Sequence, residues 1–204
     1  MSVGGQSVGV AIIDSGVNPR HPHVSGVVEG RCFVPGEPAE RYLDYLGHGT
    51  AVAGAICEKA PGASLYIAKV FHQQLVTSIS VLLEALDWCL AQPVTLVNLS
   101  LGTTNEAHRD AFLERVVQAQ SRGIRLVSPA EALPGSLAGV VGVTLDDSLA
   151  RETYRLNPDN THSASGYPRP IPGRPPNQNL QGISFAVANV TGFLAREGFA
   201  QPHA

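Results

Sequence analysis

Charge is scarce in this sequence. Asp, Glu, Lys and Arg make up 15% of its 204 residues, where a soluble domain usually carries about a quarter. Hydrophobic residues reach 44%, and that combination excludes a disordered acidic or basic tail protein. The net charge of -3 argues against an electrostatic nucleic-acid surface. Long apolar runs are missing too: none approaches the roughly 18 residues needed to span a bilayer, so no membrane partner is expected. There are only 3 cysteines. Cys32, Cys57 and Cys89 are odd in number and widely spaced, so neither a disulfide framework nor a zinc motif is indicated. They read as reduced thiols in a cytoplasmic setting. The opening Met1-Ser2-Val3-Gly4-Gly5-Gln6 has no basic residue and precedes a short apolar run, so no secretory leader is expected. Gly and Pro are plentiful, at 21 and 15, but follow no period, which excludes a collagen-like chain. With no repeat and no dividing linker, residues 1–204 read as one domain.

What is present alternates. Val8-Gly9-Val10-Ala11-Ile12-Ile13 is a near-continuous apolar run that ends in Asp14-Ser15-Gly16, a buried strand entering a turn. Further strands are expected at 64–71, 94–99, 124–127 and 140–144. Ile79, Leu82, Leu83, Leu86 and Leu90 recur at helical spacing and place a helix over 78–92, ended by Pro93. A second helix is expected over 106–122, with Phe112, Leu113, Val116 and Val117 on one face and Gly123 as its stop. The fold class is therefore α/β: a mostly parallel sheet with helices on both faces, in three layers. From 145 to 182 the alternation stops. Pro158, Pro168, Pro170, Pro172, Pro175 and Pro176 fall there, so a long mobile loop bordering the functional cleft is expected. A last helix runs from 184 to 196.

Three short segments carry chemistry-bearing side chains. Asp14-Ser15-Gly16 by itself is an ordinary turn. Gly47-His48-Gly49-Thr50-Ala51-Val52-Ala53-Gly54 clears space around an imidazole, though a lone histidine is most often structural. Gly182-Ile183-Ser184-Phe185-Ala186 opens a helix, and a serine there is an ordinary helix start. As a set they mean more. A serine hydroxyl needs an adjacent base to become a nucleophile. Histidine, with a pKa of about 6.5, supplies that base near neutrality. An aspartate fixes the imidazole tautomer.

The order Asp, His, Ser and the residues around each resemble the subtilisin-like serine proteases. Asp14-Ser15-Gly16-Val17 with His21-Pro22 looks like the family's aspartate motif. Asp44-Tyr45-Leu46-Gly47-His48-Gly49-Thr50 looks like its histidine motif. Ala60-Pro61-Gly62-Ala63 leading to Ala68-Lys69-Val70, Ala85-Leu86-Asp87-Trp88, and Val97-Asn98-Leu99-Ser100-Leu101-Gly102 are similar to its following elements. Gly182 to Ala186 resembles its nucleophile motif. The resemblance implies a serine endopeptidase with Asp14 as orienter, His48 as base and Ser184 as nucleophile. It further implies that Ser100, Leu101 and Gly102 pair with the substrate backbone. With Ser128, Pro129 and Ala130, they would line the pocket for the residue before the cut. The expected partner is a peptide or protein substrate, such as a precursor that the enzyme trims, and no cofactor is implied.

The sequence departs from the family in places. Ala188 and Asn189 stand where Pro-His usually follows the nucleophile. The chain is short, and no pro-segment is recognised. The acidic calcium loops of many relatives are not recognisable, and Asp146-Asp147 alone makes no such site. The family's oxyanion asparagine is replaced: Val127-Ser128-Pro129-Ala130-Glu131 puts Glu131 in its place. The oxyanion hole would then comprise the Ser184 N–H and Glu131. Two readings of Glu131 stand: it faces solvent, or it lines the site. The second opens an alternative function, a protease fold with impaired hydrolysis that binds peptides or scaffolds a partner. His21-Pro22-His23 lacks a third metal ligand, Cys57 reads as a packed core thiol, and Arg169 and Arg174 read as solvated charges.

Overall fold

All six residues of β1 (Gly9–Asp14) are buried. Successive side chains enter different cores: Val10 and Ile12 one, Ala11 and Ile13 the other. Such two-sided burial is what a parallel sheet covered on both faces requires. The computed structural model describes residues 8–200. The opening residues 1–6, on which the absence of a leader was read, lie outside the described residues.

Eight strands form one sheet in the order β2-β3-β1-β4-β5-β6-β8-β7. They are β2 (Val27–Cys32), β3 (Ser64–Lys69), β4 (Leu96–Leu99), β5 (Arg125–Pro129), β6 (Val141–Leu145), β7 (Tyr154–Leu156) and β8 (His162–Ala164). Every neighbouring pair is parallel except β7 with β8. Helices α1 (His48–Lys59) and α4 (Ile183–Ala200) cover one face, where Val52, Ile56 and Val187 join Val10 and Ile12. Helices α2 (Ile79–Leu90) and α3 (Arg109–Ser121) cover the other, where Leu82, Leu86 and Phe112 join Ile13. The three-layer α/β architecture implied by the alternating sequence is what the chain adopts.

Several boundaries differ from expectation. β2 was not predicted. Its Val-Val-Glu-Gly-Arg-Cys is polar and largely exposed at the sheet edge, so it has no apolar run to betray it. The helix expected over 106–122 divides into a 3-10 turn at Glu106–His108 and α3. Its buried stripe is Phe112, Val116 and Ala119, whereas Leu113 and Val117 are 44% and 58% exposed. One residue corresponds to roughly 100° around a helix, enough to carry that second pair to solvent. α4 starts one residue earlier than expected, at Ile183, and extends to Ala200.

The largest correction concerns 145–182. This stretch holds β7, β8 and a 3-10 turn at Pro176–Gln178. Pro158 does not break a strand there. It sits in the hairpin between β7 and β8, whose turn also contains Asn160 at φ 65° and is closed by the Asn157 N–H donating to the Thr161 carbonyl at 2.8 Å. Residues 163–166 are buried. Asn189 of α4 donates to the carbonyls of Ser165 at 2.8 Å and Tyr167 at 3.1 Å, pinning this part of the segment to the helix. Only from Pro170 onward is the proline-rich stretch mostly exposed.

The sheet order also fixes where a site can form. After β1 the chain continues to the β3 side, while β4 flanks β1 on the other. In open α/β sheets such a reversal opens a crevice beyond the carboxyl ends of the strands. Asp14 ends β1, and Ser100 directly follows β4.

Candidate active site

Asp14 and His48 meet in this crevice. The His48 Nδ1–H donates to Asp14 Oδ1 at 2.7 Å. The same oxygen accepts the Ser15 N–H at 2.7 Å, while Asp14 Oδ2 is buried without a partner. The carboxylate is fully buried, so its charge is best neutralised when the imidazole carries a proton. Burial of His48 opposes its charged form. The hydrogen bond and charge of Asp14 and the charge of Asp44 outweigh that, and the His48 pKa lies above the ordinary 6.5.

The backbone brings the pair together by close approach. A side chain at Gly49 would place its Cβ 2.2 Å from the Gly16 carbonyl oxygen and 3.1 Å from Asp14 Oδ1, so α1 can lie this near the end of β1 only with glycine there. The expectation that both glycines clear space holds for Gly49 alone. At Gly47 a Cβ would meet nothing, but the residue has φ 81°, a left-handed conformation that glycine adopts without strain.

The start of α1 is organised by Asp44. Its Oδ1 accepts from the Ser15 hydroxyl and from the Leu46 and Gly47 N–H groups, each at 2.9 Å. Its Oδ2 accepts from the Thr50 N–H at 2.8 Å and the Thr50 hydroxyl at 2.7 Å. A carboxylate so placed satisfies the otherwise orphaned donors of a helix start. Beneath the same loop Lys69, buried at the end of β3, donates to the Leu43 carbonyl at 2.7 Å, and its ammonium stands 4.6 Å from the Tyr45 ring centroid. The sequence offered a weak sign of both residues: a carboxylate four positions before the histidine, and a lone cation closing an apolar strand.

Ser184 is the second residue of α4. At that position its N–H has no intrahelical partner and lies at the positive end of the helix dipole. Its hydroxyl donates to the Ser100 carbonyl at 3.1 Å, not to the imidazole. The Ser100 hydroxyl returns a bond to the Ser184 carbonyl at 3.0 Å. A buried chain continues behind this pair: Asn98 Nδ2 donates to Ser100 Oγ at 2.8 Å, and the Thr191 hydroxyl donates to Asn98 Oδ1 at 3.0 Å. Phe185, the residue after Ser184 in α4, has its ring centroid 5.2 Å from that of His48.

The Ser128 hydroxyl donates to the Leu101 carbonyl at 3.3 Å, so the segments 100–102 and 128–130 lie side by side. Pro129 ends β5, and Ala130 begins the turn after it. Glu131 follows in that turn, exposed, and its carboxylate has no hydrogen bond among the described residues. Asp146 and Asp147 are both engaged internally. Asp146 accepts from Ser148 and Arg155. Asp147 accepts from the Gly166 N–H at 2.9 Å and Gln181 Nε2 at 2.8 Å. Among the described residues no group of three His, Cys, Asp or Glu side chains is placed to hold a metal. All three cysteines are free and buried. Cys57 packs in the core as expected, and burial pushes the Cys89 thiol far up from its ordinary pKa. No helix among the described residues is long and apolar enough to cross a membrane.

Residues 5–132 match the family model described as "Subtilase family". The human membrane-bound transcription factor site-1 protease is 30% identical over 176 residues, covering 76% of this chain and 16% of that protein. Subtilisin Savinase of Lederbergia lenta is 37% identical over 134 residues, covering 61% of this chain and 47% of that protein. The alkaline protease of Alkalihalobacillus alcalophilus shows the same 37% over 134 residues, covering 33% of its length. The chain thus spans less than half the length of each of these relatives.

Proposed function

Since this chain belongs to the subtilase family, we propose that it is a serine endopeptidase in which Ser184, His48 and Asp14 work as a triad. The observation that carries the reading is the 2.7 Å bond from a buried Asp14 to His48, at the same end of the sheet as a serine that opens a helix. Ser184 Oγ attacks the scissile carbonyl carbon and gives its proton to His48 Nε2. His48 then protonates the leaving amine, and water hydrolyses the acyl-enzyme by the same relay. Asp14 holds the proton on Nδ1, leaving Nε2 free to act as base. The Ser184 N–H donates to the developing oxyanion. The acyl half of the substrate lies along Ser100, Leu101 and Gly102, with Ser128 to Ala130 beside its last residue.

In the structure the Ser184 hydroxyl bonds the Ser100 carbonyl, so this chemistry requires it to leave that acceptor and turn toward His48. That resting bond is also the specific observation favouring a second reading, a subtilase fold that binds peptides without cutting them. A fluorophosphonate probe separates the two. Labelling of wild type and none of Ser184→Ala is expected for the protease. Folded wild type that stays unlabelled would count against the protease and support the binding module.

Glu131 completes the proposal as the residue at the oxyanion donor's place. A glutamate donates a hydrogen bond only when protonated, whereas an asparagine amide donates at any pH. One oxyanion donor is worth roughly 10²–10³ in rate. Glu131→Asn is therefore expected to raise the hydrolysis rate at neutral pH by up to about that factor. Rates on a single peptide ester across pH 4 to 9 provide the check, and overlapping profiles would place Glu131 outside the oxyanion hole.

A further inference from the structure

Beside His48 lies a pocket of about 480 Å³. One wall is the start of α1, including Gly47 and Thr50 on either side of His48. The other is the proline-rich stretch from Pro168 to Leu180. Its charged lining is lopsided. Arg169, Arg174, His21 and His23 face it, against a single carboxylate, Asp44. The two oxygens of Asp44 already accept five donors from the protein, all of them neutral, so its hydrogen-bonding capacity is used while its charge remains. Neither Arg169 nor Arg174 has an ion pair among the described residues, although ten such pairs occur elsewhere. Arg169 is half-buried, and its backbone carbonyl is held by Asn179 Nδ2 at 3.3 Å. The rings of His21 and His23 meet edge to face, 4.9 Å between centroids. Glu58, the nearby acid that acts on His23, is itself paired with Lys59 and Arg151.

The pocket's place in the site gives it a role. Ser184 is bonded to Ser100 on one side, where the acyl half of a substrate would lie. On the other side the chain runs back through Gly182 to the pocket wall at Leu180 and Asn179. The half of the substrate that leaves as an amine extends that way. We propose that this pocket binds the carboxylate of an Asp or Glu side chain on the leaving-group side of the scissile bond, making acidity there a determinant of specificity. The assignment rests on Ser184 being the nucleophile.

Arg169 and Arg174 supply the charge and forked donors suited to a carboxylate. His21, whose Nδ1 accepts the His23 N–H at 3.2 Å, keeps its Nε2–H as a donor. Burial and then the charges of Arg169 and His21 press the His23 pKa below 6.5, with Glu58 alone pulling it up. An arriving carboxylate opposes the part of that pressure that comes from the charges of Arg169 and His21, not the part due to burial.

The test uses a library of acetylated, amidated peptides digested by the full chain, with cut sites read by mass spectrometry. Asp and Glu are expected to be enriched within the first three positions after the cut. Matched Glu and Gln peptides should differ about three- to tenfold in kcat/KM, the range that one or two solvent-accessible charge pairs supply. In Arg169→Gln/Arg174→Gln the ratio should fall to about one. Cleavage with no acidic preference, or a preference that survives the double variant, overturns the assignment. So does a preference confined to peptides with a free C-terminal carboxylate. If nothing is cut and Ser184 is not labelled, it is the protease reading that has failed. The pocket is then judged on Ser184→Ala by histidine-selective NMR. Saturable shifts of His21 and His23 with triglutamate amide but not triglutamine amide uphold the acidic-peptide site. No shift, or shifts with inorganic phosphate alone, overturn it.

Discussion

His48 stands between a desolvated setting that disfavours its charge and two carboxylates that favour it, and the carboxylates prevail. A base must be neutral to accept a proton, so activity falls as pH drops through this raised pKa. The acidic limb of kcat/KM is therefore expected above pH 6.5, displaced upward from the ordinary histidine position. Asp14→Asn removes both the charge and the acceptor that fixes the tautomer. Its rate should fall by about 10⁴, and the residual activity should have its acidic limb at lower pH. A limb that stays in place would show that Asp14 does not govern His48. At this scale the sequence was partly legible. Asp14, His48 and Ser184 stand in motifs whose order brought them to notice. The rotamer of Ser184 did not, because a backbone carbonyl decides it, and any residue at position 100 has one. Asp44 was visible only as a member of a motif. That it gathers five donors follows from how the loop folds back on it.

At the scale of elements, α4 is held to β4 by polar contacts as well as apolar ones. Thr191, Asn98 and Ser100 form a buried relay from the middle of the helix to the backbone of Ser184. The Thr191 hydroxyl has one proton and two acceptors in reach, Asn98 Oδ1 at 3.0 Å and the Val187 carbonyl at 2.9 Å, and Thr191→Val keeps the shape but removes the donor they share in a site closed to water. A buried polar atom stranded in this way costs about 1–3 kcal/mol. The urea midpoint should fall accordingly with an unchanged slope. The central elements were readable because burial on two faces writes a continuous apolar run. β2, β7 and β8 were not, since their patterns include exposed or polar positions. In 145–182 the prolines misled because one of them serves a hairpin turn and the others lie beyond the strands. Hydrogen exchange should therefore be uneven there. Slow exchange is expected at 162–166, and fast exchange at 171–181, where the chain is mostly exposed. Uniform exchange across both stretches would contradict this division.

Taken whole, the molecule assembles its site beyond the carboxyl ends of central strands of one sheet. Asp14 comes from the first strand, His48 from the helix after the second, Ser100 from beyond the fourth and Ser184 from the last described helix. The overall architecture was legible in the alternation of strands and helices. The basic pocket was not, because His21 and His23 lie far from Arg169 and Arg174 in the chain and only the fold brings them together. At this scale the pocket's two arginines predict that charge neutralisation changes peptide preference without changing stability. The Arg169→Gln/Arg174→Gln chain should unfold at the wild-type midpoint, within about 0.5 kcal/mol, as expected for surface substitutions.

The position of α4 has a consequence in time. This helix buries Phe185 to Ala195 against α1 and the sheet and supplies much of one core. Without this helix a face stands open over β4, β5, β6 and β8, and Ser184 is not yet presented. Contacts so distant in sequence form late, after the cost of closing the intervening loops. Ser184, the proposed nucleophile, therefore reaches the site together with the helix that covers these strands, so the proposed triad is completed only once that face of the sheet is covered.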